Sequence, residues 1–172
     1  MSFEAVRDWV MGHVREHLPL AEPIVFLMGF AEGIPGLSLV VPSSPLFLAI
    51  GGVHGAAGGQ FWHLWLAASV GAVAGDCVTY ALGRWLKKHP DRLRALRLNP
   101  EAMAKGQALF ARWGALAVLG GKFTGFARPF IPIVAGVVAM PLPLFLAAST
   151  FSSLAWAGAF LAPGYGLKWL ID

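Results

Sequence analysis

The chain has 172 residues, of which 57% are hydrophobic and only 13% charged, and its mean hydropathy is +0.66. Soluble domains carry about a quarter charged residues, so this composition excludes an ordinary water-soluble domain and indicates an integral membrane protein. The net charge is +4, but eight of the thirteen Lys and Arg residues fall between Arg84 and Arg112. Such a basic cluster between apolar stretches favours a cytoplasmic loop over a nucleic-acid interface.

The first predicted element is an amphipathic helix at 1–20, where charged residues are mixed with apolar residues at helical spacing. This stretch lacks the uninterrupted apolar middle of a signal peptide, so we expect it to lie on the membrane surface. Pro19 and Pro23 are expected to stop it and to start a new segment. The remaining chain, 21–172, is predicted to form one membrane domain. It divides into a first half, a basic linker and a second half at 21–86, 87–112 and 113–172.

Two apolar stretches, Phe61–Leu82 and Pro143–Leu161, are predicted to be transmembrane helices, because about 20 apolar residues are enough to cross a bilayer. Glycine and proline interrupt the apolar runs that precede them, which we call the first broken segment (24–52) and the second broken segment (115–140). The residues predicted to form hairpins there are Pro42, Ser44 and Pro45 in the first segment and Pro129 and Pro132 in the second. Broken backbone inside a membrane must be buried in protein or line a polar cavity, so these segments mark an interior site.

The two halves of the chain have corresponding features. Each contains a broken segment followed by a spanning helix, and the sequence Leu-Ala-Ala-Ser occurs at both Leu66–Ser69 and Leu146–Ser149. Interrupted apolar segments at matching places in two halves are typical of transporters that have an internal repeat and a site near mid-membrane. Proline and capping residues at 89–91 and 99–101 also predict two short helices in the basic linker.

Four ionisable residues lie in otherwise apolar surroundings: Glu32, Asp76, Lys122 and Arg128. Each costs roughly 2.5–3.5 kcal/mol to insert at the centre of a membrane helix, so such residues usually have a function. The guanidinium of Arg128 matches phosphate oxygens and Lys122 offers a point charge, whereas a desolvated carboxylate such as Glu32 can take up a proton. The set suits an anionic headgroup whose binding depends on a proton. The alternative is that these residues form structural ion pairs.

The sequence contains no motif typical of catalysis, metal binding or cofactor binding. Its five His residues are scattered, and it has neither a phosphate-binding Gly-Lys-Ser/Thr loop nor paired Cys at metal spacing. Ser44 has no His or acid at the spacing of a nucleophile's partners, and Cys77 is expected to be a packing residue. Most tryptophans fall near segment ends, where an interfacial belt explains them; they include Trp62, Trp65, Trp85, Trp113, Trp156 and Trp169. We therefore expect a protein that is not an enzyme and that holds no metal or other cofactor.

In their order and spacing, several motifs together resemble the DedA family, also called SNARE-associated or VTT-domain membrane proteins. The resemblance covers roughly residues 22–166. Its pieces are Phe30-Ala-Glu32, Val41-Pro-Ser-Ser44, Gly51-Gly52, Gly71-x-x-x-Gly75-Asp76-x-x-x-Tyr80-x-x-Gly83-Arg84, Gly121-Lys-Phe-Thr-Gly-Phe-Ala-Arg128, Pro132, Ala135-Gly136, Phe145 and Trp156.

The resemblance implies a multi-pass inner-membrane protein with two re-entrant hairpins, from a family linked to the movement of lipids between leaflets. Some bacterial members resemble transporters that return undecaprenyl phosphate to the cytoplasmic leaflet, and eukaryotic relatives resemble scramblases. In the family's motif, Glu32 matches the acid before the first hairpin and Arg128 matches the last basic residue of the second. Two positions depart from the pattern: Ser44 stands where members commonly carry an acid, and Lys122 stands where they commonly carry an arginine.

Residues and resemblance together predict an all-α polytopic protein of the bacterial inner membrane, with two broken, re-entrant hairpins each followed by a transmembrane helix. Its expected function is that of a flippase for a phosphate-bearing lipid, either undecaprenyl phosphate or a glycerophospholipid. Lys122 and Arg128 are predicted to bind the headgroup, and Glu32 and Asp76 to couple its movement to protons. The expected partners are the bilayer and an anionic lipid headgroup. Two alternatives stay open: an ion-coupled antiporter of small solutes, and a scaffold that acts through the basic linker.

Overall fold

The computed structural model describes residues 3–40, 43–89, 91 and 100–166, and all regular structure within these ranges is helical. The helices are α1 (Phe3–Glu32), α2 (Leu37–Val40), α3 (Ser43–Ala56), α4 (Phe61–Lys87), α5 (Pro100–Trp113), α6 (Ala115–Gly121), a 3-10 helix (Gly125–Phe130), α7 (Ile131–Val137) and α8 (Leu142–Gly166). The all-α prediction is therefore confirmed for this part of the chain. Of the two helices predicted in the basic linker, the second is α5, and the first falls largely outside the described residues.

The two predicted spanning segments are both long helices. α4 has 27 residues and α8 has 25, and both are long and apolar enough to cross a membrane. At 1.5 Å per residue they extend about 40 Å and about 37 Å, which exceeds the ~30 Å hydrocarbon core of a bilayer. Large apolar side chains on their outer surfaces, such as Trp62, Val70 and Phe151, are exposed. A face of this kind suits contact with lipid tails.

The first helix is longer than the sequence predicts. α1 continues through Pro19 and Pro23 as a single helix of 30 residues, so the prediction that these prolines stop it is wrong. Both prolines lie on an exposed face, whereas Val25 on the other side is fully buried and Gly29 lies directly against the backbone of Ala68. Packing along this face outweighs the hydrogen bonds that the two prolines remove.

α1 runs parallel to α4 at very close range. Gly71 faces the carbonyl of Phe26, and Gly33 at the end of α1 faces the backbone of Asp76. A Cβ atom at Gly71 would overlap that carbonyl, so only glycine permits this separation. The contact places the C-terminal end of α1 beside the middle of α4.

One short helix from each half packs against the long helix of the other half. α3 lies on α8 and α7 lies on α4. The two crossings are built alike: Gly51 meets the backbone of Leu161 at the first, and Gly136 meets the backbone of Tyr80 at the second. The two halves are therefore interlocked.

The core consists of two apolar clusters separated by a polar layer. One cluster includes Tyr80, Phe110 and Phe145, and the other includes Phe47, Leu64 and Trp156. Along both α4 and α8, buried polar side chains lie between the residues of one cluster and those of the other. This polar layer comprises Asp76, Thr79, Ser149, Ser152 and Ser153.

Candidate functional site

The polar layer receives charged side chains from both broken segments. Glu32 is the last residue of α1, Lys122 follows the end of α6, and Arg128 lies in the 3-10 helix. All three are buried, as is Asp76 on α4. Turns and helix ends thus bring ionisable groups to the centre of the bundle, where the two long helices supply hydroxyl groups.

Lys122 and Asp76 form the first buried ion pair. The Nζ atom of Lys122 lies 2.5 Å from Oδ2 of Asp76, and the two side chains are 3% and 8% exposed. Nζ also donates a hydrogen bond to Ser153, and Ser149 donates one of 2.6 Å to the same Asp76 oxygen. None of these four side chains has a buried nitrogen or oxygen atom without a hydrogen-bond partner. We call this arrangement the closed pair.

Arg128 and Glu32 form the second buried ion pair, through Nη1 of the arginine and Oε2 of the glutamate. Their side chains are 9% and 8% exposed. The guanidinium carbon of Arg128 also lies 3.9 Å from the ring centroid of Trp156. In contrast to the first pair, Nε and Nη2 of Arg128 are buried and have no hydrogen-bond partner. We call this arrangement the open pair.

A hydrogen bond between helices fixes the position of Glu32. Oγ1 of Thr79 donates a 2.7 Å hydrogen bond to the carbonyl of Gly33, and the amide of Gly33 donates to the carbonyl of Phe30. The end of α1 is thereby tied to α4 next to Asp76. The backbone next to Glu32 is therefore fixed, and Arg128 pairs with its carboxylate.

The structure brings the four predicted site residues together as two acid–base pairs. The sequence grouped Lys122 with Arg128 as headgroup ligands and Glu32 with Asp76 as proton-coupling acids; in the structure each basic residue contacts one acid. The predicted hairpin residues of the second broken segment are both buried, Pro129 in the 3-10 helix and Pro132 at the start of α7. In the first broken segment, Ser44 and Pro45 lie in the first turn of α3, where Pro45 is exposed. Pro42 lies outside the described residues.

Sequence reasoning missed the part that α8 plays in the site. Ser149, Ser153 and Trp156 occur at positions i, i+4 and i+7 and so lie on one face of the helix. Trp156 is 1% exposed, so the expectation that it belongs to an interfacial belt is wrong. Polar residues at helical spacing in a stretch without charges are the signal that could have revealed this face.

Composition, two helices of spanning length and ion pairs buried between them define a helical membrane protein. The chain belongs to the VTT domain family, the DedA family, whose sequence pattern matches residues 41–166. The matched region includes Asp76, Lys122, Arg128 and all of α8, whereas Glu32 precedes it. No solved structure matches the chain.

Similar proteins are membrane proteins from several bacteria. The chain is 30% identical to inner membrane protein YabI of Escherichia coli over 81% of its own length and 55% of that protein's. It is 26% identical to an uncharacterized membrane protein of Buchnera aphidicola (subspecies Schizaphis graminum) over 92% and 63%, and 38% identical to one of Mycobacterium tuberculosis H37Rv over 58% and 47%. The chain therefore spans less than two thirds of the length of each of these relatives.

Proposed function

We propose that this protein is a transporter that moves a phosphate-bearing lipid, undecaprenyl phosphate or a glycerophospholipid, between the leaflets of a bacterial inner membrane. One observation carries the proposal: Arg128 is buried at the centre of the bundle with Nε and Nη2 unpartnered. The protein acts here as a carrier and not as an enzyme. It needs no cofactor, since binding and release of a headgroup require only charge and hydrogen bonds.

The free edge of Arg128 suits a phosphate. The N–H bonds of Nε and Nη2 lie parallel to each other along one edge of the planar guanidinium. This geometry matches two oxygens of one phosphate group. A buried donor without a partner costs about 1–3 kcal/mol. An anion that accepts from both nitrogens removes this penalty, so the site favours an occupant that carries two acceptor oxygens.

The interlocked helices support a path for lipid across the bilayer. Both broken segments lead to the polar layer, and the paired crossings at Gly51 and Gly136 are those expected of two halves related by an internal repeat. We propose that the segments are re-entrant hairpins that enter from opposite sides and place the site near mid-membrane. The basic linker, 87–112, then lies on the cytoplasmic side, where anionic lipids attract it.

Proton coupling is centred on Glu32. While this carboxylate is ionised, it neutralises Arg128 and competes with an incoming anion. Uptake of a proton by Glu32 removes the competing charge, so proton binding and headgroup binding favour each other. Asp76 is the second acid of this scheme. It stabilises Lys122, whose charge adds to the positive potential of the site.

The experiment measures how fast a fluorescent polyprenyl phosphate and a matched phospholipid move between leaflets in proteoliposomes, at two pH values. We expect the wild type to move at least one lipid, and we expect Arg128→Ala and Glu32→Gln to lose that movement at normal incorporation. Glu22→Gln is the matched control, because Glu22 forms an ion pair with the half-exposed His63, which is not part of the polar layer. Loss of pH dependence in Glu32→Gln would support coupling.

The closed pair favours one second candidate, an ion-coupled antiporter of small solutes. An acid and a base buried against each other, such as Asp76 and Lys122, can exchange a proton or a cation during transport. This candidate predicts cation-dependent flux without lipid movement. A wild type that incorporates well and moves neither lipid would contradict the lipid proposal and favour antiport, or a scaffold that acts through the basic linker.

A further inference from the structure

Trp156 lies beneath the guanidinium of Arg128, deep in the bundle. We infer that Trp156 is a positioning residue that orients this guanidinium so that its Nε–Nη2 edge can bind two oxygens of one phosphate group. The inference rests on the proposed function and deepens it. It names the residue that gives the site its preference for an oxyanion with two acceptors, which is the phosphate of a lipid or free inorganic phosphate.

The tryptophan ring is itself held firmly. It is 1% exposed, and Phe47 of the first broken segment packs against it edge to face, with ring centroids 5.0 Å apart and planes at 86°. The guanidinium carbon of Arg128, in the second broken segment, lies 3.9 Å from the centroid of the same ring. Trp156 therefore joins the two broken segments, and the orientation of its ring is fixed before any ligand arrives.

The guanidinium of Arg128 has two identified partners and one unpartnered edge. One face lies on Trp156, and Nη1 is paired with Glu32. The remaining edge, Nε and Nη2, is buried without hydrogen bonds. Attraction to an aromatic face does not by itself fix the direction of the guanidinium edges, whereas the ion pair between Nη1 and Glu32 constrains it. Together the two contacts set the direction in which the free edge points.

A lysine in this place would not form the same site. An ammonium offers a compact point charge with donors in a tetrahedral arrangement, whereas the free edge depends on a planar group lying on a ring. The protein shows the contrast itself, because Lys122 donates to Ser153 and Asp76 and has no buried donor without a partner. Of the two basic residues in these pairs, only Arg128 lies on an aromatic ring.

The first test is lipid transport as a function of lipid concentration in proteoliposomes. We expect Trp156→Leu to raise the apparent KM for the transported lipid roughly tenfold, with a smaller change in maximal rate, and Trp156→Phe to restore most of the loss. Arg128→Lys should lose transport, and adding Trp156→Leu to it should cause little further loss, because the two side chains act as one unit. Trp62→Leu, on the exposed face of α4, is the control.

The second test measures binding without transport. In detergent, we would titrate the wild type and Trp156→Phe with inorganic phosphate and with polyprenyl phosphate, and take the difference in tryptophan emission as the signal from Trp156. Saturable quenching by the lipid alone assigns the site to a lipid headgroup, and quenching by both assigns it to phosphate in general. If neither ligand gives a difference signal, the inference is wrong.

The two tests separate failure of this inference from failure of the proposed function. A wild type that binds polyprenyl phosphate at Trp156 but moves no lipid would overturn the transport proposal and leave the phosphate site standing. A wild type that moves lipid while Trp156→Leu does so with an unchanged KM would overturn the role of Trp156. Equal losses in Trp156→Leu and Trp156→Phe that follow reduced thermal stability would show a purely structural role.

Discussion

The two buried ion pairs carry the same charges and lie between the same long helices, yet their surroundings differ. In the closed pair, Lys122 donates a hydrogen bond to Ser153 and Asp76 accepts one from Ser149, and none of these side chains leaves a buried polar atom unpaired. In the open pair, Arg128 meets Glu32 and an aromatic face, and two of its nitrogens have no partner. Hydrogen bonding beyond the ion pair therefore distinguishes the two pairs, and we propose that the first holds the bundle together and the second is prepared for a ligand.

The comparison also bears on the departure of this chain from the family pattern. Lys122 stands where the resemblance leads us to expect an arginine. An ammonium with compact donors fits between Asp76 and Ser153, and the closed pair makes full use of it. We propose that headgroup recognition then depends mainly on Arg128, and that Lys122 contributes positive potential rather than direct contact.

The largest effect is expected from breaking the closed pair on one side. Lys122→Met leaves the Asp76 carboxylate buried and without its counter-ion, which should lower the free energy of unfolding by about 3–5 kcal/mol. Thermal unfolding in detergent measures this loss. The double variant Lys122→Met/Asp76→Leu, which removes both charges, should recover most of the stability. Lys87→Met, at an exposed position in the last turn of α4, is the control; an equally stable Lys122→Met protein would contradict the structural role of the pair.

A smaller effect is expected from removing one hydroxyl of the closed pair. Ser149→Ala deletes a hydrogen bond to the charged Asp76, so we expect a loss of about 1.5–3 kcal/mol in unfolding free energy. Ser152→Ala is a matched control, because this serine lies on the same helix, is equally buried and bonds only to the carbonyl of Ser149. Similar losses in both variants would mean that the hydrogen bond to Asp76 contributes nothing beyond helix packing.

Much of the fold follows from local sequence signals. Apolar stretches of spanning length predict α4 and α8, and glycine and proline predict the breaks around them. The path of the chain through Pro19 and Pro23 could not be predicted, because the packing of α1 along α4 outweighs a local preference that acts at single residues. Local signals also predict which half of the chain contains each element, but not that α3 packs on α8 and α7 on α4.

The candidate site is predictable in its members but not in its pairing. Charged residues in apolar stretches mark Glu32, Asp76, Lys122 and Arg128 because burial makes each one costly. Which acid meets which base depends on how the helices cross, and close glycine contacts determine this. The same is true of Trp156, since its place beneath Arg128 depends on the register between α8 and the second broken segment.

The smallest loss of stability is expected from removing the hydrogen bond that positions Glu32. Thr79→Val keeps the shape of the side chain but removes the donor to the carbonyl of Gly33, so we expect a loss of only ~1 kcal/mol in unfolding free energy. Transport should suffer more than stability, because the end of α1 carries Glu32 and a small displacement changes how this carboxylate competes with a headgroup for Arg128.

Thr150→Val, at an exposed position of α8, is the matched control for this substitution. Lipid movement and thermal unfolding would be measured on the same preparations of both variants. A Thr79→Val protein that transports normally would show that the open pair is positioned by Arg128 and Trp156 alone. If Thr79→Val instead lowers the free energy of unfolding as much as Lys122→Met does, Thr79 belongs to the closed pair. Only the loss of a residue that supports a buried charge should lower it so much.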